Sequence, residues 1–193
     1  MATKMRRRGG QAVKVVVTGP FAAGKTTLIR TISEITVLST ERGITDETKS
    51  RKNETTVAMD FGRITIDREL VLYLFGTPGQ ERFDFMWEIL GEGMLGYLLL
   101  LDAHREDSLA EAIGIHGAFR KMARVPYVVA LNRADAVDEA TETRVRDALG
   151  LDPRVPVMPC DATDKESVKA VLLALLYAVL EDVEAEPAQP VRA

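Results

Sequence analysis

Eight consecutive residues, Gly19-Pro20-Phe21-Ala22-Ala23-Gly24-Lys25-Thr26, follow the spacing G-x-x-x-x-G-K-[ST]. A turn of this kind aims successive backbone N–H groups at nucleotide phosphates, and the positive end of the following helix adds to the field. Lys25 brings a mobile point charge to the β- and γ-phosphates, and Thr26 offers its hydroxyl to Mg2+. The stretch sits between a β-branched run, Val13 to Val17, and a helical pattern from Lys25 to Ile32, which is the context the motif requires. Phe21, Ala22, Ala23, Gly24, Lys25, Thr26 and Thr27 are therefore the expected phosphate-binding residues.

A phosphate cradle alone does not choose between ATP and GTP. Asn132-Arg133-Ala134-Asp135, after the apolar run Tyr127 to Leu131, supplies the choice. It resembles the N-K-x-D motif of GTPases, with arginine at the lysine position. The Asp135 carboxylate can accept from both the ring N–H and the exocyclic amine of guanine, and adenine leaves that acceptor unpaired. Asn132 would brace the loop, and Arg133 would lay its aliphatic stem across the base. Further on, Cys160-Asp161-Ala162-Thr163 follows the run Val155 to Met158, where related GTPases carry a loop whose alanine N–H meets the guanine carbonyl. Ala162, with Asp161 beside it, takes that place here.

Leu74-Phe75-Gly76-Thr77-Pro78-Gly79-Gln80-Glu81-Arg82-Phe83 resembles the D-x-x-G-Q segment of Ras-like GTPases. The resemblance implies that the Gly79 N–H senses the γ-phosphate and that Gln80 orients the attacking water. Thr56-Val57-Ala58-Met59-Asp60-Phe61 looks like the switch I threonine and the strand after it, so Thr56 would close over magnesium and the γ-phosphate. With four elements in this order, residues 13–183 resemble a Ras-like P-loop small GTPase, and the Phe75 to Phe83 stretch resembles bacterial conservon-type GTPases, relatives of the gliding-motility GTPases. That likeness implies a GTP-binding signalling switch with slow, magnesium-dependent hydrolysis to GDP. Gln80, Lys25 and Gly79 would be catalytic, and Thr26 and Thr56 would hold Mg2+. The implied partners are GTP and GDP, a roadblock-domain regulator and other signalling proteins.

Two positions depart from the pattern. Gly76 stands where the family has an aspartate that holds magnesium through water, and Phe21 stands where many fast hydrolysers have glycine. Asp102, ending the run Leu98 to Leu101, is the obvious substitute acid. It is not the expected one, because its strand lies on the other side of the P-loop strand in this topology.

The elements that must position these residues follow from periodicity. Short β-rich runs at Val13 to Val17, Val57 to Ile66, Leu70 to Phe75, Tyr97 to Leu101, Tyr127 to Leu131 and Val155 to Met158 read as strands. Helical patterns cover Lys25 to Ile32, Arg82 to Leu90, Asp107 to Met122, Glu139 to Leu149 and Ser167 to Val183. The alternation predicts an α/β P-loop NTPase, a three-layer sandwich with a mostly parallel sheet of about six strands and helices on both faces. Ligands of such sheets bind beyond the carboxyl ends of the strands, where these motifs fall. Residues 34–55 form the one long irregular stretch, a length that points to function. Residues 1–12 read as a basic disordered lead, 13–183 as the domain and 184–193 as a disordered tail.

Composition narrows the function classes. The 193 residues hold 25 Lys and Arg against 29 Asp and Glu, a net charge of −4, so the whole surface carries no nucleic-acid footprint. The apolar run Met94 to Leu101 is far short of the roughly 20 residues a membrane helix needs. Neither end shows a lipidation pattern, so no direct membrane anchor is expected and any membrane contact would come through a partner. The single cysteine, Cys160, excludes an internal disulfide, and the expected location is cytoplasmic. The alternatives are a nucleotide-binding module that hydrolyses nothing and a P-loop phosphotransferase, which would need a lid and an acceptor pocket. His104 and His116 lack partner motifs and read as ordinary surface or core residues. The apolar surplus from Phe83 to Leu90, including Trp87, suggests a docking surface beside Gln80.

Overall fold

The computed structural model describes residues 11–39, 59–66, 70–79 and 85–185. In chain order the elements are β1 (Gln11–Thr18), α1 (Lys25–Ile32), β2 (Leu38–Ser39), β3 (Asp60–Thr65), β4 (Leu70–Gly76), α2 (Phe85–Gly91), β5 (Gly96–Asp102), α3 (Ser108–Met122), β6 (Tyr127–Asn132), α4 (Glu139–Leu149), β7 (Val157–Cys160) and α5 (Lys165–Ala185). Strand order is β2-β3-β4-β1-β5-β6-β7. The strands β4, β1, β5, β6 and β7 run parallel, while β3 pairs antiparallel with both β4 and β2. The expected α/β sandwich is thus the observed one, with the two-residue β2 as a seventh strand at the edge.

Side-chain alternation along the strands divides the core in two. Val15 and Val17 of β1 face a cluster with Leu28, Ile29, Leu72, Leu98, Leu100, Val171 and Leu175, which lies under α1 and α5. Val16 faces the other way, toward Trp87, Tyr97, Leu99, Ile115, Phe119 and Val129 under α2 and α3. Every residue of β5 is buried, as a central strand covered on both faces must be. Each leucine buried there contributes about 1.5–3 kcal/mol relative to exposure.

Local signals set most helix ends. The Asp138 side chain accepts from Thr141 N at 2.7 Å to start α4, and Gly150, at φ 60°, ends it. Helix α5 starts two residues earlier than Ser167, because Asp164 accepts from Ser167 N at 2.8 Å. It also runs to Ala185, so the first two residues of the expected tail are helical. Likewise β1 takes up the last two residues of the expected basic lead. Lys14 donates to Glu92 O at 2.8 Å, laying a cation over the carboxyl end of α2. Residues 40–58 and 80–84, which include Thr56 and Gln80, lie outside the described residues.

Candidate nucleotide-binding site

The loop from Gly19 to Gly24 turns β1 into α1. Gly24 caps α1 at φ 103°, and a Cβ built there would stand 2.3 Å from Asn132 Nδ2. Only glycine allows both the left-handed backbone and that approach. Ala22 sits at φ 60° and is exposed, Ala23 is fully buried, and Thr27 is exposed on the first turn. Lys25, 7% exposed, donates to Gly19 O at 2.7 Å and Pro20 O at 2.6 Å, so its ammonium lies within the curl of the loop.

Asn132 joins three loops at the carboxyl edge of the sheet. Its Nδ2 donates to Ala23 O at 2.9 Å, and its Oδ1 accepts from Arg133 N at 3.0 Å and Ala162 N at 2.9 Å. It is 4% exposed, and these bonds satisfy the buried amide. The phosphate cradle, the Asn132 to Asp135 loop and the Cys160 to Thr163 loop are therefore one hydrogen-bonded unit. The Ala162 N–H is committed to Asn132, so a guanine carbonyl would compete with that bond. Asp161 turns back on its own loop, accepting from Thr163 N at 2.8 Å and Thr163 Oγ1 at 2.6 Å. Those bonds hold its carboxyl below the usual range. Asp135 is exposed, and its carboxylate makes no hydrogen bond or ion pair among the described residues.

On the other side of β1, Gly79 lies against the cradle. A Cβ there would be 2.6 Å from Phe21 N and 2.7 Å from Lys25 Nζ, so a larger residue would push the two segments apart. Thr77 Oγ1 donates to Thr18 Oγ1 at 2.9 Å, and Trp87 Nε1 donates to Pro78 O at 3.1 Å. Phe21 is 56% exposed at the mouth of the loop, and its carbonyl accepts from Arg105 Nη1. Arg105 in turn pairs with Asp107 and Glu111, each at 2.6 Å.

An acid stands opposite Gly76 on the neighbouring strand. Asp60 is directly opposite Gly76 in the antiparallel β3–β4 pair, and its Oδ2 accepts from Thr26 Oγ1 at 2.5 Å. A Cβ at residue 76 would come within 3.1 Å of Asp60 Cβ and 2.9 Å of Ile29 Cδ1. Glycine at 76 and aspartate at 60 are thus a matched pair, and Asp60 is not among the residues the motifs point to. Its only local signal is an acid four residues after Thr56, at the start of the strand. Asp102, on β5, faces elsewhere: Oδ2 accepts from Arg133 Nη1 and Oδ1 from His104 N at 3.0 Å.

No cluster of three or more His, Cys, Asp or Glu side chains suited to a metal occurs among the described residues. The Thr26 hydroxyl and the Asp60 carboxylate still fit Mg2+, which is held through few protein oxygens plus phosphates and waters.

The comparisons bear on this geometry. Residues 17–182 match the family described as "Conserved hypothetical ATP binding protein". The chain belongs to that family. An uncharacterized protein of the archaeon Methanocaldococcus jannaschii is similar as well, 33% identical over 126 residues that cover 65% of this chain and 73% of the relative. Family membership makes this a nucleotide-binding fold, in agreement with the P-loop geometry.

The expected docking surface is partly core. Trp87 and Leu90 are each 5% exposed, and the Trp87 ring lies 6.2 Å from that of Phe119. Phe85 and Ile89 are the exposed members, and Phe83 lies outside the described residues. His116 is buried with its Nδ1 3.2 Å from Tyr97 Oη, a core role. No helix among the described residues is long and apolar enough to cross a membrane.

Proposed function

We propose that this chain is a Ras-like GTPase switch of the conservon type that binds GTP with Mg2+ and hydrolyses it slowly to GDP. The observation that carries the guanine reading is the Asn132 bridge. It ties the loop that bears Asp135 to the phosphate cradle, and the Asp135 carboxylate on that loop is exposed. Two donors on guanine satisfy that carboxylate, whereas adenine does not.

In this reading the cradle N–H groups and Lys25 bind the phosphates. Thr26, Asp60 and Thr56 from switch I would hold Mg2+, which would supply neutralisation of phosphate charge. The Gly79 N–H reports the γ-phosphate and Gln80 aligns water. Phe21, exposed at the loop mouth, crowds the approach of Gln80 or of an arginine from a partner, which keeps intrinsic turnover slow. A roadblock-domain regulator is the proposed partner, meeting Phe85 and Ile89 beside the γ-phosphate sensor. The proposed location is cytoplasmic.

The family description speaks of ATP, so ATP binding is the second reading. Titration of GDP and ADP into the full chain separates them: GDP should bind about tenfold or more tighter, and Asp135→Asn should erase most of that preference. Equal affinity for the two nucleotides would refute the guanine assignment.

A further inference from the structure

Asp102 is a buried acid for which neither the phosphate chemistry nor the metal site has a use. It ends β5 directly opposite Asn132 in the parallel β5–β6 register, and it is 6% exposed. The backbone around it is pinned on several sides: Asp102 N donates to Ser108 Oγ at 2.9 Å, Ala103 N donates to Asn132 O at 3.0 Å, and His104 N donates to Asp102 Oδ1. The remaining oxygen, Oδ2, accepts from Arg133 Nη1.

Arg133 is constrained from the opposite end. Its backbone is left-handed, at φ 66°, and its N–H is shared between Cys160 O at 2.8 Å and Asn132 Oδ1 at 3.0 Å. A non-glycine residue in this conformation is held there by its surroundings. Main chain and guanidinium are thus both tied, with the aliphatic stem between them. The side chain as a whole is still 54% exposed. A lysine at this position would carry a hydrated point charge and no planar fork, so the choice of arginine suits the acid waiting at Asp102.

We propose that Asp102 is a positioning residue for the base: by holding the Arg133 guanidinium it fixes the arginine stem as a rigid apolar wall on one face of the bound purine. This deepens the nucleotide-switch reading and rests on it. The wall adds affinity by arriving pre-ordered, since an unanchored arginine would give up rotamer freedom on binding. It does not select the base, because every purine has an apolar face. Selection stays with Asp135.

The test is a double-mutant cycle on the full chain, read by calorimetric titration of GDP and of ADP. Asp102→Asn should weaken GDP by about fivefold to tenfold while the ratio of GDP to ADP affinity stays within about twofold. Arg133→Met keeps an unbranched apolar stem that needs no acid to anchor it. Adding Asp102→Asn in that background should change GDP affinity by less than about twofold, the non-additivity expected when one residue acts through the other. A general loosening of the fold would instead cost the same factor in both backgrounds, and that additivity would overturn the proposal, as would an Asp102→Asn protein that binds as tightly as the unaltered chain. If the unaltered chain prefers ADP, the guanine reading fails and the same cycle run with ADP still decides the role of Asp102. Binding of neither nucleotide refutes both.

Discussion

The two flanks of the P-loop strand are built on different principles. On the β5–β6–β7 side, where the base is proposed to lie, polar side chains hold one another: Asn132 ties three loops, Asp102 holds Arg133, and Asp161 closes its own turn. On the β4–β3 side, where the γ-phosphate is proposed to lie, backbones touch because side chains are missing: Gly79 rests on Phe21 and Lys25, and Gly76 makes room for Asp60. A hydrogen-bonded unit keeps one shape. On the glycine side the hydrogen bonds join pairs of residues, Thr77 to Thr18, Thr26 to Asp60 and Trp87 to Pro78, and no single side chain ties several loops among the described residues. The difference suits a switch, in which base recognition stays constant and the γ-phosphate side reports what is bound.

The largest effect that would break this comparison is exchange of the acid between strands. Asp60→Ala should weaken Mg2+-dependent GTP binding by about tenfold, a loss comparable to removing one charge-assisted contact. Gly76→Asp alone should bring no gain and should lower thermal stability, because its Cβ meets Asp60 and Ile29. The double variant, Asp60→Gly with Gly76→Asp, should recover much of the metal dependence. Asp102→Ala should leave the metal dependence unchanged, since that acid faces Arg133. Titration of Mg2+ against GTP affinity measures all four, and tighter metal binding in Gly76→Asp alone would show that Asp60 is not the acid in use.

The smallest effect separates both flanks from the core beneath them. Burial, with Arg120 adding to it, lowers the His116 pKa from 6.5 to about 4. A base whose folded pKa is depressed is taken up as the neutral form, so the unfolded chain binds more protons between pH 4 and 6.5. Stability is therefore complete above about 6.5 and declines as pH falls toward about 4. His116→Gln should flatten that acid limb in thermal melts, with GDP affinity at neutral pH unchanged. An identical acid limb in the variant would exclude His116 as its source.

Much of this arrangement was readable in the residues. The strand–loop–helix order, the five helices and the place of the Asn132 to Asp135 loop after β6 all follow from periodicity and from motifs in which neighbours in sequence act together. Asp60 was not readable, because its partner is Thr26, 34 residues away, and its place depends on an antiparallel register across β3 and β4. A shift of one residue would turn Asp60 to the other face of the sheet. Trp87 shows the same limit on the helix: six large apolar residues in eight positions cannot all be core, but which ones face inward depends on how α2 meets Phe119. Arg105 reaches Phe21 from 84 positions away and left no local pattern.

Single-turnover hydrolysis with protein in excess tests the central claim most directly. With Mg2+ present, labelled GTP should be converted slowly to GDP, and unlabelled ATP at equal concentration should not slow the reaction. Removal of the metal should stop it, and Gln80→Leu should reduce the rate by about tenfold or more while GTP remains bound. ATP converted as fast as GTP, or a rate indifferent to both Mg2+ and Gln80→Leu, would contradict the assignment of this chain as a magnesium-dependent GTPase switch.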